Sequence, residues 1–255
     1  MMAYRYIFYE KKGQIAYVTL NRPEVGNSHI AAMGEELTEA WNDANRDENI
    51  RVAILTGAGD RFFCTGADAK AASQGIPVTP WGDIPENFWK PAILAINGVC
   101  AGGGWHFVWQ SDFAICADHA TFLEPHVSIG WVPLREMMGL ANRAPLSVVL
   151  RMAFMGTKER IDAKRAYELG IITEVVPYPQ LMSRATEIAE AICEQGPLAV
   201  AATKEALHRA YELRFAQREA FVYGDLLRER THLSEDFIEG PRAFAQKRKP
   251  VWKGR

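Results

Sequence analysis

Three short apolar runs constrain the fold of this chain most. Residues 52–55, 93–96 and 113–116 are each four residues long, without the polar alternation of a half-exposed strand and too short to be helices. Such runs read as strands buried on both faces, which requires a largely parallel sheet covered by helices. The stretch before the first run fits that architecture, because Ile30, Met33, Leu37, Trp41 and Ala44 recur at helical spacing and Ser28 is placed to cap the helix. Strand and helix therefore alternate as βαβ crossovers demand. Upstream, apolar residues alternate from Tyr6 to Leu20 around Lys11, Lys12 and Gly13, the pattern of a hairpin.

Past Pro133 the pattern becomes helix upon helix, over 146–154, 161–169, 181–193, 198–213, 216–230 and 234–248, with one strand at 171–176. The expected organisation is one functional domain: an α/β core over 1–195 and a helical lid or assembly region over 196–255. A length of 255 residues with 48% hydrophobic residues supplies a large core, and a net charge of −2 excludes a generic binder of nucleic acid or anionic membrane. Residues 91–111 carry no formal charge, but Pro91 and the Gly102-Gly103-Gly104 triplet argue against a membrane span. Four separated cysteines without a Cys-x-x-Cys spacing, and an N-terminus without a signal-length apolar stretch, lead us to expect reduced thiols and a cytoplasmic location.

Two glycine-rich loops follow predicted strands: Cys64-Thr65-Gly66-Ala67-Asp68 and Ala101-Gly102-Gly103-Gly104-Trp105-His106. Glycines at the carboxyl ends of strands let backbone N–H groups face a ligand, and two such donors can stabilise charge on a carbonyl oxygen. The alternative is a pair of tight turns. Neither loop has the spacing of a dinucleotide fingerprint or a P-loop.

These loops, together with Leu20-Asn21-Arg22-Pro23, Ile54-Leu55-Thr56-Gly57, Ile96-Asn97-Gly98, the segment 112–117, Gly156-Thr157 and the 243–249 segment, stand in an order that resembles the crotonase superfamily, or enoyl-CoA hydratase/isomerase family. The resemblance implies a crotonase-like spiral of ββα units with a helical C-terminal trimerisation region, assembled as a trimer or hexamer. It implies an acyl-CoA thioester substrate held by the N–H groups of Ala67 and Gly103, with no metal and no cofactor beyond the coenzyme A of the substrate. Arg22, Gly66, Asp68, Ala69 and Lys70 fall where the family contacts that coenzyme A, and Phe244 and Lys247 match an adenine contact and a phosphate-binding lysine.

One departure matters. Hydratases of the family carry two glutamates at positions held here by His106 and His126. Two imidazoles near their ordinary pKa can still supply one base and one acid at neutral pH, although a histidine facing a pocket is also a common packing residue. Glu136 is the leading carboxylate candidate, two residues out of register with the acid of family isomerases, and Glu124 and Asp68 are further candidates. Five of the seven tryptophans lie between 81 and 131, and Trp105 and Trp131 are taken as acyl-pocket residues. The functional expectation is an acyl-CoA lyase or isomerase that stabilises an enolate and moves protons through histidine. The alternatives are a thioester or carbon–carbon hydrolase on the same hole and a silent acyl-CoA binder.

Overall fold

A computed structural model describes residues 4–129 and 132–212, with 233–236, 238–239, 243, 246, 248 and 250–255. The hairpin forms as expected, β1 (Ile7–Lys12) pairing antiparallel with β2 (Ile15–Leu20) around Gly13, whose φ of +58° suits glycine. Helix α1 (Ala31–Arg46) buries Met33, Leu37, Ala40, Trp41 and Ala44. Ser28 does not cap it. The Arg22 guanidinium claims the Ser28 carbonyl, and the His29 N–H donates to the Gly66 carbonyl, so the backbone stays extended and the helix starts only after Ile30.

The chain then repeats one unit three times: β3 (Val52–Gly57), β4 (Phe62–Cys64), α2 (Ala69–Ser73); β5 (Ala92–Ile96), β6 (Val99–Ala101), α3 (Gly104–Gln110); β7 (Phe113–Ala117), β8 (Thr121–Leu123), α4 (Leu134–Leu140). The first strand of each unit joins a six-stranded sheet of order β1-β2-β3-β5-β7-β10, and the second joins a smaller sheet, β4-β6-β8-β9. Continuation is through α5 (Leu146–Met155), β9 (Ile161–Asp162), α6 (Ala163–Glu168), β10 (Glu174–Val176), α7 (Leu181–Cys193) and α8 (Pro197–Glu212). Residues 161–169, read as one helix, thus begin as a two-residue strand before α6. The expected helix over 216–230 lies outside the described residues, as do seven of the fifteen residues of 234–248.

The apolar runs are continuous because both sheet faces are covered. Ala53, Leu55, Leu94 and Ile96 join the core that includes α1, while Val52, Ile54, Ile93 and Ala95 meet Leu181, Ala185 and Ala189 of α7. Cys64, Cys100 and Cys116 are buried free thiols, which burial pushes above the ordinary range. No helix among the described residues is long and apolar enough to cross a membrane.

Candidate active site

Both glycine loops leave the smaller sheet, not the three apolar strands directly. Strand β4 pairs in parallel with β6, Phe62 opposite Val99 and Cys64 opposite Cys100, so the chain exits both strands at neighbouring points. Gly66, with φ +90°, lies so close to the second loop that a Cβ there would sit 2.8 Å from the Gly103 nitrogen. On its other side the first loop pairs with His29: the His29 N–H donates to the Gly66 carbonyl (2.8 Å) and the Asp68 N–H to the His29 carbonyl (2.9 Å). That bridge leaves the Ala67 N–H on the opposite side of the pleat. The Gly103 N–H precedes the first turn of α3, where helix N–H groups have no intrahelical acceptor. Neither donor has an acceptor among the described residues.

His106, in the first turn of α3, is 3% exposed. Its Nε2 lies 3.2 Å from Oε1 of Glu136, in the first turn of α4, and its Nδ1 lies 3.6 Å from Oδ1 of Asp83, beyond hydrogen-bond length. Burial pulls the imidazole pKa down, but the two carboxylates outweigh it and raise the value to about 9. At neutral pH this ring is an imidazolium. In return, Asp83 is held below the usual carboxylate range by His106; Glu136 is pushed up by burial and brought below its ordinary value by the His106 contact. His106 Nδ1 has no hydrogen-bond partner among the described residues.

His126 opens a 3-10 turn just after β8. Its Nδ1 is 2.5 Å from Oε1 of the fully buried Glu124, an oxygen that also accepts from the His126 backbone N–H at 2.9 Å. A carboxylate only accepts, so the ring donates from Nδ1 and Nε2 is its basic nitrogen. The Glu124 contact, against the opposing effect of burial, raises the His126 pKa above 6.5. The charges of both imidazoles are felt by Glu136, and a Cβ on Gly102 would meet His126 Cε1 at 3.5 Å, which puts both rings beside the second loop. The arrangement can take a proton at one ring and give one from the other.

A cavity of about 480 Å³ opens on the Ala67 side, lined by residues that include Arg22, Ala67, Asp68, Ala69 and Lys70. Arg22 pairs with Asp68 at 2.9 Å, and the same carboxylate caps α2 by accepting from the Ala71 N–H. Asp68 is thus spent on structure. Trp105 is not a pocket residue: it is fully buried against Phe122 and its indole N–H donates to the Leu123 carbonyl. Neighbours on a helix point about 100° apart, so the turn that brings His106 to the site carries Trp105 into the core. Trp131, Phe244 and Lys247 lie outside the described residues. The sequence reading missed Asp83, which arrives on an irregular segment; Trp81, one of the five tryptophans noted between 81 and 131, lies on the same segment and stacks on His29. Among the described residues no three His, Cys, Asp or Glu groups are arranged to hold a metal ion.

Residues 10–255 match the family described as Enoyl-CoA hydratase/isomerase. The chain belongs to that family. Carnitinyl-CoA dehydratases from Escherichia coli O157:H7 and Proteus mirabilis are 37% and 38% identical to it, each comparison covering 96% of this chain and 97% of the relative. The crystal structure of an enoyl-CoA hydratase/isomerase from Mycobacterium paratuberculosis superposes with a TM-score of 0.92 at 41% identity, over 99% of this chain and 100% of that one. An enoyl-CoA hydratase from Mycobacterium tuberculosis H37Rv gives 0.90 at 30% identity, over 98% and 99%. This member of the enoyl-CoA hydratase/isomerase family is therefore an enzyme of the lyase/isomerase type, and its substrate class is the acyl-CoA thioester.

Proposed function

We propose that the enzyme adds water to, or removes it from, the α,β bond of an acyl-CoA thioester, with histidine at both positions where family hydratases use glutamate. The observation that carries this reading is the pair of imidazoles, each set against a buried carboxylate, beside two backbone donors with no acceptor of their own. The thioester oxygen lies between the N–H groups of Ala67 and Gly103, and coenzyme A extends past Arg22, Ala69 and Lys70 into the cavity they line. In the dehydration direction His126 Nε2 takes the α-proton, and the electron pair passes to the thioester oxygen as an enolate, which the two N–H groups stabilise. When the enolate collapses, the bond from the β-carbon to oxygen breaks and His106 Nδ1 gives that oxygen a proton, so water leaves. Hydration is the reverse. Relatives named carnitinyl-CoA dehydratase support the choice of water elimination over isomerisation.

The test is incubation with a panel of enoyl-CoA and 3-hydroxyacyl-CoA thioesters, read by mass spectrometry, beside the variant carrying both His106→Ala and His126→Ala. A gain or loss of one water that disappears in the variant is expected. Release of free coenzyme A would replace the reading with a hydrolase, and binding without turnover would end it.

A further inference from the structure

One aromatic side chain packs against both the second glycine loop and His106. The Trp81 indole stands between His29 and His106, with ring centroids 4.3 Å from the first at 28° and 4.9 Å from the second at 8°. Both imidazoles stack on the indole, and an edge of its six-membered ring meets the second loop. That edge lies on Gly103: a Cβ there would fall 2.6 Å from Trp81 Cζ3 and closer still to Cη2. The space beside the Cα of this donor residue, where another chain could carry an alanine, is filled by tryptophan.

The segment bearing Trp81 is pinned on both flanks. The Ala31 N–H donates to the Pro77 carbonyl at 2.9 Å, His29 Nδ1 lies 3.1 Å from the Val78 carbonyl, and the Ile84 N–H donates to Gln110 Oε1 at 3.1 Å. Gly34 of α1 has no room for a Cβ because the Pro80 carbonyl lies on it, and a Cβ on Gly82 would meet Leu37 Cβ at 2.5 Å. A wall held by backbone contacts on both sides cannot swing aside without unpacking α1. The 480 Å³ cavity ends on the Ala67 side, with neither Trp81 nor His106 in its lining.

We propose that Trp81 sets the acyl length this enzyme accepts: its indole edge, clamped between His29 and His106 against Gly103, stops the acyl group a short distance beyond the thioester and selects short-chain acyl-CoA substrates. The proposal rests on the acyl-CoA reading above, because it needs the thioester oxygen at the Ala67 and Gly103 donors. Trp81 touches the acyl group and takes no part in proton transfer, so it is a specificity residue.

The experiment compares wild type with Trp81→Ala and Trp81→Phe in two assays. One measures kcat/KM on C4, C6 and C8 enoyl-CoA thioesters. The other measures affinity for the saturated butyryl-CoA and octanoyl-CoA by calorimetry, which needs no turnover. Each methylene pressed against a hydrophobic wall changes kcat/KM by about tenfold or more. Wild type should fall by on the order of a hundred-fold or more from C4 to C8, and Trp81→Ala should recover most of that loss, with Trp81→Phe between. Should the alanine variant misfold, the phenylalanine variant carries the same test, since a smaller ring must still lengthen the accepted chain. Equal preference for C4 and C8 in wild type, or an unchanged ratio in a folded variant that keeps its C4 activity, overturns the wall while leaving the hydratase reading intact. Absence of acyl-CoA binding in wild type overturns both.

Discussion

Replacing Glu136 with glutamine isolates the charge that keeps His106 protonated. The amide keeps an oxygen acceptor of similar shape near Nε2, so the contact at 3.2 Å can persist while the negative charge is lost. The imidazole is raised from 6.5 to about 9, a difference of about 3 kcal/mol that two carboxylates supply against burial. Asp83 stands farther off, at 3.6 Å, beyond hydrogen-bond length, and its side chain is 42% exposed against 11% for Glu136, so solvent screens it more and Glu136 supplies the larger Coulombic share. Glu136→Gln should lower the His106 pKa by about one to two units, and Asp83→Asn by less. With both changes only burial acts, and the ring should titrate below its ordinary value. NMR titration of ring-labelled histidine reads the value directly, and the alkaline limb of the pH–rate profile, near pH 9 in wild type, should move down with it. Stability follows with a definite sign. Because the folded value lies above the unfolded one, the contribution is complete below about pH 6.5 and is lost as pH rises through about 9. Glu136→Gln should therefore cost on the order of 1–2 kcal/mol at pH 7 and flatten the decline of Tm between pH 7 and 9. A His106 titration that stays put in Glu136→Gln, or that moves further in Asp83→Asn, would refute the reasoning.

Other perturbations test separate parts of the site. Glu124→Gln keeps an oxygen near His126 Nδ1 but removes the charge that raises the ring's pKa and lets the amide turn its NH2 to the ring, so kcat should fall by on the order of a hundred-fold or more while KM changes little, with the acidic limb moving to lower pH. A KM effect alone would contradict that role. Gly66→Ala places a methyl against the Gly103 nitrogen at a φ of +90°, so activity should fall by about a hundred- to a thousand-fold in a protein whose circular dichroism is unchanged. Arg22→Ala breaks the Asp68 ion pair at the mouth of the 480 Å³ cavity and should raise KM for acyl-CoA with kcat nearly kept. Trp41→Ala empties a fully buried site packed edge-on against Phe88 and should destabilise the fold by about 3–5 kcal/mol, measured by urea unfolding.

The parts of this molecule legible in the sequence are those with a period or a spacing. Buried runs at 52–55, 93–96 and 113–116 became β3, β5 and β7, and the Met33, Leu37, Trp41 stripe became α1. Strands β4, β6 and β8 escaped notice because three residues carry no period, so the unit that repeats three times in space leaves no repeat in sequence. Within the site, the glycine loops and both histidines could be chosen, and Glu136 was chosen despite its register. Glu124 had a readable signal, since residues two apart in extended chain share a face and Glu124 precedes His126 by two. Asp83 had none, and Trp81 only its place among the five tryptophans between 81 and 131: both reach His106 across more than twenty residues on a segment without regular structure. Trp105 was misassigned because composition records how aromatic a stretch is, while the helical rotation between positions 105 and 106 decides which ring faces the core.

The pairing of β4 with β6 has a consequence for how this enzyme could be altered. Spacing between the Ala67 and Gly103 N–H groups is set by main-chain hydrogen bonds between two strands, whereas the rings to which proton transfer is assigned in the proposed mechanism are side chains, one on the helix after β6 and one on the turn after β8. Exchanging the side chains at 106 and 126 changes which protons are available and at what pH, and leaves the distance between the donors untouched. On the proposed mechanism, one half of the site is thus written in peptide units, set by the pairing of two strands, and the other half in two residues that can be rewritten one at a time.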